Sequence, residues 1–217
     1  MEALELVGFR RAVAALYGRA RSGAEDDPEG AWLRWRSERD ELFATHPQSP
    51  VPVSARASFS GMAFHPYDHR WRLTVEVEPL ESAAAVEVPH SGGATSEWRP
   101  VGRVHLDGPG GRGSLTLLWL ATYGGGIFLP FRDASSGSTT YGGGRYLLDT
   151  VKGADLGSPP GPGAELVVDA NYAYHPSCAH DVRWSCPLAP PENRLEVAVE
   201  AGELLPVHAT AGGVPVR

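Results

Sequence analysis

The 217-residue chain contains two cysteines, Cys178 and Cys186, too few for a disulfide framework, and in a reducing compartment both are expected as thiols. No apolar run approaches the ~18 residues a membrane-spanning helix needs. The first residues, Met1-Glu2-Ala3-Leu4-Glu5, put acid where a secretory leader carries positive charge. A cytoplasmic address is therefore expected, with no membrane partner. Positive charge is scarce as well. There are 19 Lys and Arg against 26 Asp and Glu, a formal net charge of −7, and no basic run exceeds Arg10-Arg11. That balance argues against nucleic acid or an anionic membrane surface as partner. No Gly-Xaa-Ser-Xaa-Gly elbow, no His-Glu-Xaa-Xaa-His and no internal repeat is present.

Glycine and proline are plentiful, 26 and 19 residues, which predicts many turns and few long helices. The helices that are expected lie at the N-terminus. Leu4, Val7, Val13, Leu16 and Tyr17 recur at three-and-four spacing over 3–21. A second helix is expected to start with Asp27 as N-cap and Pro28 at its first position and to end before Pro47. From Val53 the period changes to two, in Ala55–Gly61, Trp71–Glu78, Val86–Val88, Trp98–Leu106, Ser114–Leu120 and Gly126–Phe131, with late strands at Glu165–Asn171 and Arg194–Ala201. Between 53 and 203 no helical stretch could carry the crossovers of a parallel sheet. The expected fold is mainly β, an antiparallel β-barrel or closed sandwich with an N-terminal helical preface. Its divisions are a helical segment over 1–48, the barrel over 53–203 and a loosely attached tail over 204–217. Gly153–Gly163 reads as a surface loop inside the barrel domain.

The most informative stretch is Thr140-Tyr141-Gly142-Gly143-Gly144-Arg145-Tyr146. Three glycines allow close backbone approach, beside two aromatics and an arginine able to fork onto an anion. No Lys-Ser/Thr and no helix follows, so a nucleotide phosphate loop is disfavoured. Arg145 is expected to be buried and paired, either with a ligand anion or with the protein's own Asp133 or Asp149. Asp169 and Asn171 share a strand face, able to orient a ligand or to tie down a turn. The ligand-binding candidates are Tyr141, Gly143, Arg145, Tyr146, Asn171, Tyr174 and Asp133. His175, Cys178, His180 and Cys186 form His-Xaa2-Cys-Xaa-His-Xaa5-Cys, enough ligands for tetrahedral Zn²⁺ but not at a standard spacing. The favoured reading is that the two cysteines approach each other, as thiols or a disulfide, and fasten the loop before the last strand. A nucleophilic cysteine beside a histidine is a further alternative. His65-Pro66-Tyr67-Asp68-His69 reads as a polar connection or a contribution to a pocket mouth.

Arg36-Xaa-Xaa-Arg39-Asp40-Xaa-Xaa-Phe43, Phe59-Ser60-Gly61-Met62-Ala63-Phe64, Phe128-Leu129-Pro130-Phe131-Arg132-Asp133, the Thr140–Tyr146 stretch, Asp169-Ala170-Asn171, and Cys178-Ala179 through Cys186-Pro187 to Glu192-Asn193 recur in this order in a bacterial and archaeal family. In them the chain resembles domain of unknown function 1684, over roughly 30–203. The resemblance implies no activity. The family is similar in its cysteines but not in the two histidines, and it favours Asn-Pro where this chain has His175-Pro176, so a role for His175 belongs to this chain. The expected function is that of a small-molecule-binding barrel holding an anionic ligand through Arg145, with no cofactor. The alternatives are an enzyme doing hydrolytic or acid–base chemistry on an anion in the same pocket, and a structural or interaction protein. A homodimer is compatible with all three.

Overall fold

The structure, a computed structural model, describes residues 2–81, 84–159 and 164–205. Two long helices, α1 (Glu2–Gly23) and α2 (Pro28–Thr45), open the chain. The Asp27 carboxylate accepts from the Gly30 N–H at 2.9 Å, satisfying one of the donors that a helix start leaves free, and Pro28 enters with its φ already helical. The two helices pack on each other, and Leu16, Tyr17, Ala20, Trp32 and Trp35 join Tyr172 of the sheet domain in one aromatic-rich cluster. Trp32 Nε1 donates to the Asn171 carbonyl at 2.8 Å. A single short turn of helix, α3 (Val53–Arg56), follows.

Seven strands come next: β1 (Arg72–Pro79), β2 (Val86–Pro89), β3 (Thr95–Gly108), β4 (Gly111–Leu120), β5 (Ile127–Phe131), β6 (Arg145–Asp149) and β7 (Glu165–Asp169). They form one sheet of order β6-β5-β4-β3-β1-β7, with β2 also on β3, and every pairing is antiparallel. β3 is long enough to pair with β2 at its start and β1 further on, and it bends at the register shift between Pro100 and Gly102. The sheet curls so far that β6 meets the chain just past β7, where Tyr146 and Tyr174 exchange backbone hydrogen bonds of 2.9 and 3.2 Å. The fold is thus a mainly β, antiparallel half-barrel behind a helical region. Its core holds Val104, Leu115, Leu117, Leu129, Phe131 and Leu148, and all five residues of β6 are buried.

Two expected strands are absent from the described structure. Ala55–Gly61 does not extend. Pro52 precedes α3, and the Ser58 and Phe59 amides donate back to the Ala55 and Arg56 carbonyls. With those amides met inside the turn, the local turn wins over a short alternation that has no strand beside it. Arg194–Ala201 alternates as expected but has only isolated pairings, with Arg132 and Ala134. At its far end, side chains bond the Val199 N–H and the Val199 and Ala201 carbonyls. β7 also stops at Asp169, two residues before the expected end, because the Asp169 carboxylate caps a 3-10 turn over Ala170–Tyr172. Pro160–Gly163 of the expected surface loop, and all but the first two residues of the expected tail, lie outside the described residues. No helix among the described residues is long and apolar enough to cross a membrane.

Candidate functional site

Arg145, the first residue of β6, is buried to 1% exposure. Its Nη2 donates to Asp133 Oδ2 at 3.0 Å and to the Val199 carbonyl at 2.9 Å, while Nη1 donates to the Ala201 carbonyl. Asp133 in turn accepts from the Val199 N–H at 2.7 Å and from the hydroxyls of Ser135 and Ser136. The Arg145–Asp133 pair therefore supplies the 199–201 backbone with the donors and acceptors that a neighbouring strand would otherwise provide. Gly144 makes this approach feasible. Its φ is +97°, and a Cβ there would sit 2.5 Å from the Phe131 carbonyl oxygen, so only glycine fits without strain.

The neighbouring candidates serve the same framework. Tyr146 is fully buried, its ring against Phe128 and its hydroxyl donating to the Pro187 carbonyl. The Gly143 carbonyl accepts from Ala189. Asn171 is fully buried: its amide donates to Asp169 and to the Asp68 carbonyl, and its oxygen accepts from the Asp68 N–H. Asn193 does likewise for Thr116 and Pro130. His65–Arg70 line, with Glu200, an open depression that shares no residue with the cavity described next.

That cavity, of about 60 Å³, lies between the two long helices and the β6 end of the sheet. Its walls are apolar and aromatic, including Phe9, Tyr17, Trp35, Phe43 and Tyr174, and it also touches Arg39, Lys152 and His175. Four buried polar atoms on its lining residues have no protein partner: the donors Trp35 Nε1, Arg39 Nη1 and the Tyr174 hydroxyl, and His175 Nδ1 on the side facing Glu203. Such orphans are rare in a folded protein. Arg39 is 6% exposed, with its guanidinium 4.3 Å from the centre of the Phe43 ring. Its Nη2 donates to Glu203 Oε2 at 2.7 Å, so one arm is paired and the other is not. Lys152 Nζ is 2.9 Å from Asp149. Of the seven ligand-binding candidates, Tyr174 alone lines this cavity.

Behind it sits Glu203, a fully buried carboxylate. Burial alone would raise its pKa, but the Arg39 guanidinium on Oε2 leads the causes that hold it well below the ordinary range. Gly202, at φ +78°, lets the chain pass within reach of the Ala170 and Ala173 carbonyls and so delivers Glu203 to the interior. His175 Nδ1 lies 3.5 Å from Glu203 Oε1, and His180 Nε2 lies 3.2 Å from the same oxygen. Burial lowers the His175 pKa, so the ring is held neutral, and its Nε2 accepts from the Tyr141 N–H at 3.2 Å.

The four residues of the His-Xaa2-Cys-Xaa-His-Xaa5-Cys pattern thus divide. The histidines face Glu203, whereas the cysteines face each other, buried and unbridged, beside Tyr141, with Cys178 Sγ 3.7 Å from the Tyr141 hydroxyl. Hydrogen bonds from Cys186, Ser91 and Tyr141 outweigh burial and lower the Cys178 pKa to about 6, while Cys186, the donor of the pair, is raised. Sequence reasoning missed Arg39 and Glu203 as site residues. Arg39 stood within a quoted motif without a role, and Glu203 is separated from it by 164 positions with no motif linking them.

Residues 57–204 match the model of the family described as "Protein of unknown function (DUF1684)". A solution NMR structure of an uncharacterised protein from Haloarcula marismortui is similar, with 30% identity and a TM-score of 0.60, covering 86% of this chain and 98% of that one. No curated protein matches the chain.

Proposed function

The chain belongs to the DUF1684 family of proteins of unknown function, and from that premise we propose that it binds a small anionic molecule with an aromatic or short aliphatic body in the cavity between α1, α2 and the sheet. The observation that carries this reading is the set of three buried donors, Trp35 Nε1, Arg39 Nη1 and Tyr174 Oη, left without protein partners on otherwise apolar walls. Leaving a buried donor unmade costs about 1–3 kcal/mol, so three at one cavity favour a ligand that supplies acceptors. Arg39 is the anchor. Its free Nη1 offers a charge-assisted hydrogen bond while its other arm stays fixed by Glu203, and Lys152 adds a second positive charge to the same lining. Arg145 does not line this cavity, and both of its Nη nitrogens are engaged by Asp133 and the 199–201 backbone.

The test is thermal melting with a panel of short aliphatic and aromatic carboxylates beside their neutral amides. A ligand at ~100 times its Kd stabilises the folded state by about 2.7 kcal/mol, so the midpoint should rise with a carboxylate and not with its amide. Val13→Phe, which fills the cavity from α1 and leaves the Arg39–Glu203 pair untouched, should remove the rise. An unresponsive wild type, or a Val13→Phe protein that still responds, sinks the proposal. Chemical conversion of the responding compound would move the protein to the enzyme class.

A further inference from the structure

His175 Nδ1, His180 Nε2 and Glu203 Oε1 are buried, lack hydrogen-bond partners and lie within 4.8 Å of one another. We infer that these three atoms form a coordination site for a divalent transition metal of the Zn²⁺ or Co²⁺ class, independent of whether the neighbouring cavity holds a ligand. The distances carry the argument. Metal–ligand bonds of about 2.0–2.1 Å at tetrahedral angles place neighbouring ligand atoms roughly 3.3–3.4 Å apart, and the two nitrogen–oxygen separations are 3.5 and 3.2 Å, with the third pair of ligand atoms within 4.8 Å. At those lengths each ring nitrogen is near the carboxylate without making an aligned hydrogen bond to it, as expected of atoms directed at a shared point rather than at each other.

The surroundings support the same assignment. Two imidazoles and one carboxylate are a ligand set suited to Zn²⁺ and its neighbours, and three protein ligands leave a fourth position for water or an exogenous donor. Glu203 Oε2 is already held by Arg39 at 2.7 Å and by the His175 N–H at 3.2 Å. The carboxylate is therefore fixed from outside and presents one oxygen, the arrangement by which outer groups orient a metal ligand. Coordination through His175 Nδ1 also has a consequence at the glycine-rich loop. It places the ring proton on Nε2, which lies 3.2 Å from the Tyr141 N–H, so two donors face each other and the Tyr141–Gly144 turn must move aside.

The experiment titrates Co²⁺ into the chelator-treated full chain and follows its visible absorption, with Zn²⁺ as competitor. One equivalent should give the bands of a four- or five-coordinate ion, and Zn²⁺ should abolish them. His180→Ala, at the 9%-exposed edge of the site, should weaken binding by ~100-fold or more, at least matching the loss from outer-shell changes, whereas His105→Ala should bind as wild type. In the loaded protein, hydrogen exchange at the Tyr141 amide should change. A chain that gives no such bands at one equivalent of metal overturns the inference, whatever the variants do. So does a folded His180→Ala with unchanged affinity, or an intense sulfur-to-cobalt charge-transfer band, which would put the ion on Cys178 and Cys186.

Discussion

Two buried arginines reach Glu203, Arg39 its carboxylate at 2.7 Å and Arg145 its carbonyl at 3.5 Å, and they serve different purposes. Arg145 has its charge matched by Asp133 and both of its Nη nitrogens engaged, Nη2 also by the Val199 carbonyl and Nη1 by the Ala201 carbonyl. Arg39 has Glu203 on one arm and nothing on the other, and it sits among aromatic rings at a cavity. A guanidinium with both Nη nitrogens met inside the chain holds the chain together. One left half-met in a space large enough for other atoms is suited to recognition. The residue type is the same in both places, so burial and charge alone do not distinguish the roles. What distinguishes them is the accounting of donors.

The largest effect that tests this contrast is Arg145→Ala. It leaves Asp133 as an unpaired buried charge and frees the 199–201 backbone, so unfolding free energy should fall by about 3–5 kcal/mol, read from urea denaturation. Carboxylate-dependent melting should persist in whatever remains folded. A variant of native stability that had lost the response would exchange the roles of the two arginines.

Next comes Gly144→Ala, which forces a Cβ toward the Phe131 carbonyl at a positive φ and should cost about 1–3 kcal/mol in the same assay. No measurable loss would mean that the loop relaxes freely and that Arg145 does not depend on it.

A finer comparison uses two tyrosines. Tyr146→Phe removes a hydroxyl bonded to the Pro187 carbonyl and should cost about 0.5–1.5 kcal/mol. Tyr174→Phe removes a hydroxyl with no partner, so its stability should be nearly unchanged while ligand response weakens. Equal costs for both would show that the Tyr174 hydroxyl is satisfied after all.

A last test of the comparison concerns pH. Cys178 in the native state has its pKa lowered from the ordinary 9.0 to about 6, so between those values the folded chain carries a thiolate where the unfolded chain binds a proton. Stability from this group is complete above the unfolded value of 9.0, falls as pH drops, and is gone below the folded value near 6. Thiolate absorbance should rise with a midpoint near 6, and a midpoint at the ordinary value would show that the two cysteines do not share their hydrogen bond.

Much of the frame was legible from local signals. Period-two alternation placed β1, β3, β4 and β5 because a sheet face repeats every second residue. Asp27-Pro28 marked the start of α2 because capping is a contact within four residues. Arg145 as a buried, paired arginine could be reasoned from its glycine and tyrosine neighbours, with Asp133 near enough in sequence to be named. Arg194–Ala201 was misread because alternation reports which side chains turn inward, not what bonds the backbone. There, Asp133 and Arg145 take the place of a strand.

Only the tertiary structure decided which ionisable groups meet. Arg39 and Glu203 are 164 positions apart, and nothing in the sequence around either residue identifies its partner. His175, Cys178, His180 and Cys186 looked like one set because they lie close along the chain, but the 3-10 turn over Ser177–Ala179 helps send the histidines to Glu203 and the cysteines to Tyr141. The sequence by itself determined the helical preface, the antiparallel class and the buried Arg145, since those follow from periodicity, caps and near neighbours. The cavity, its unmatched donors and the His175–His180–Glu203 triangle came from the curling of the sheet against two helices, because contacts between distant segments leave no local pattern to read.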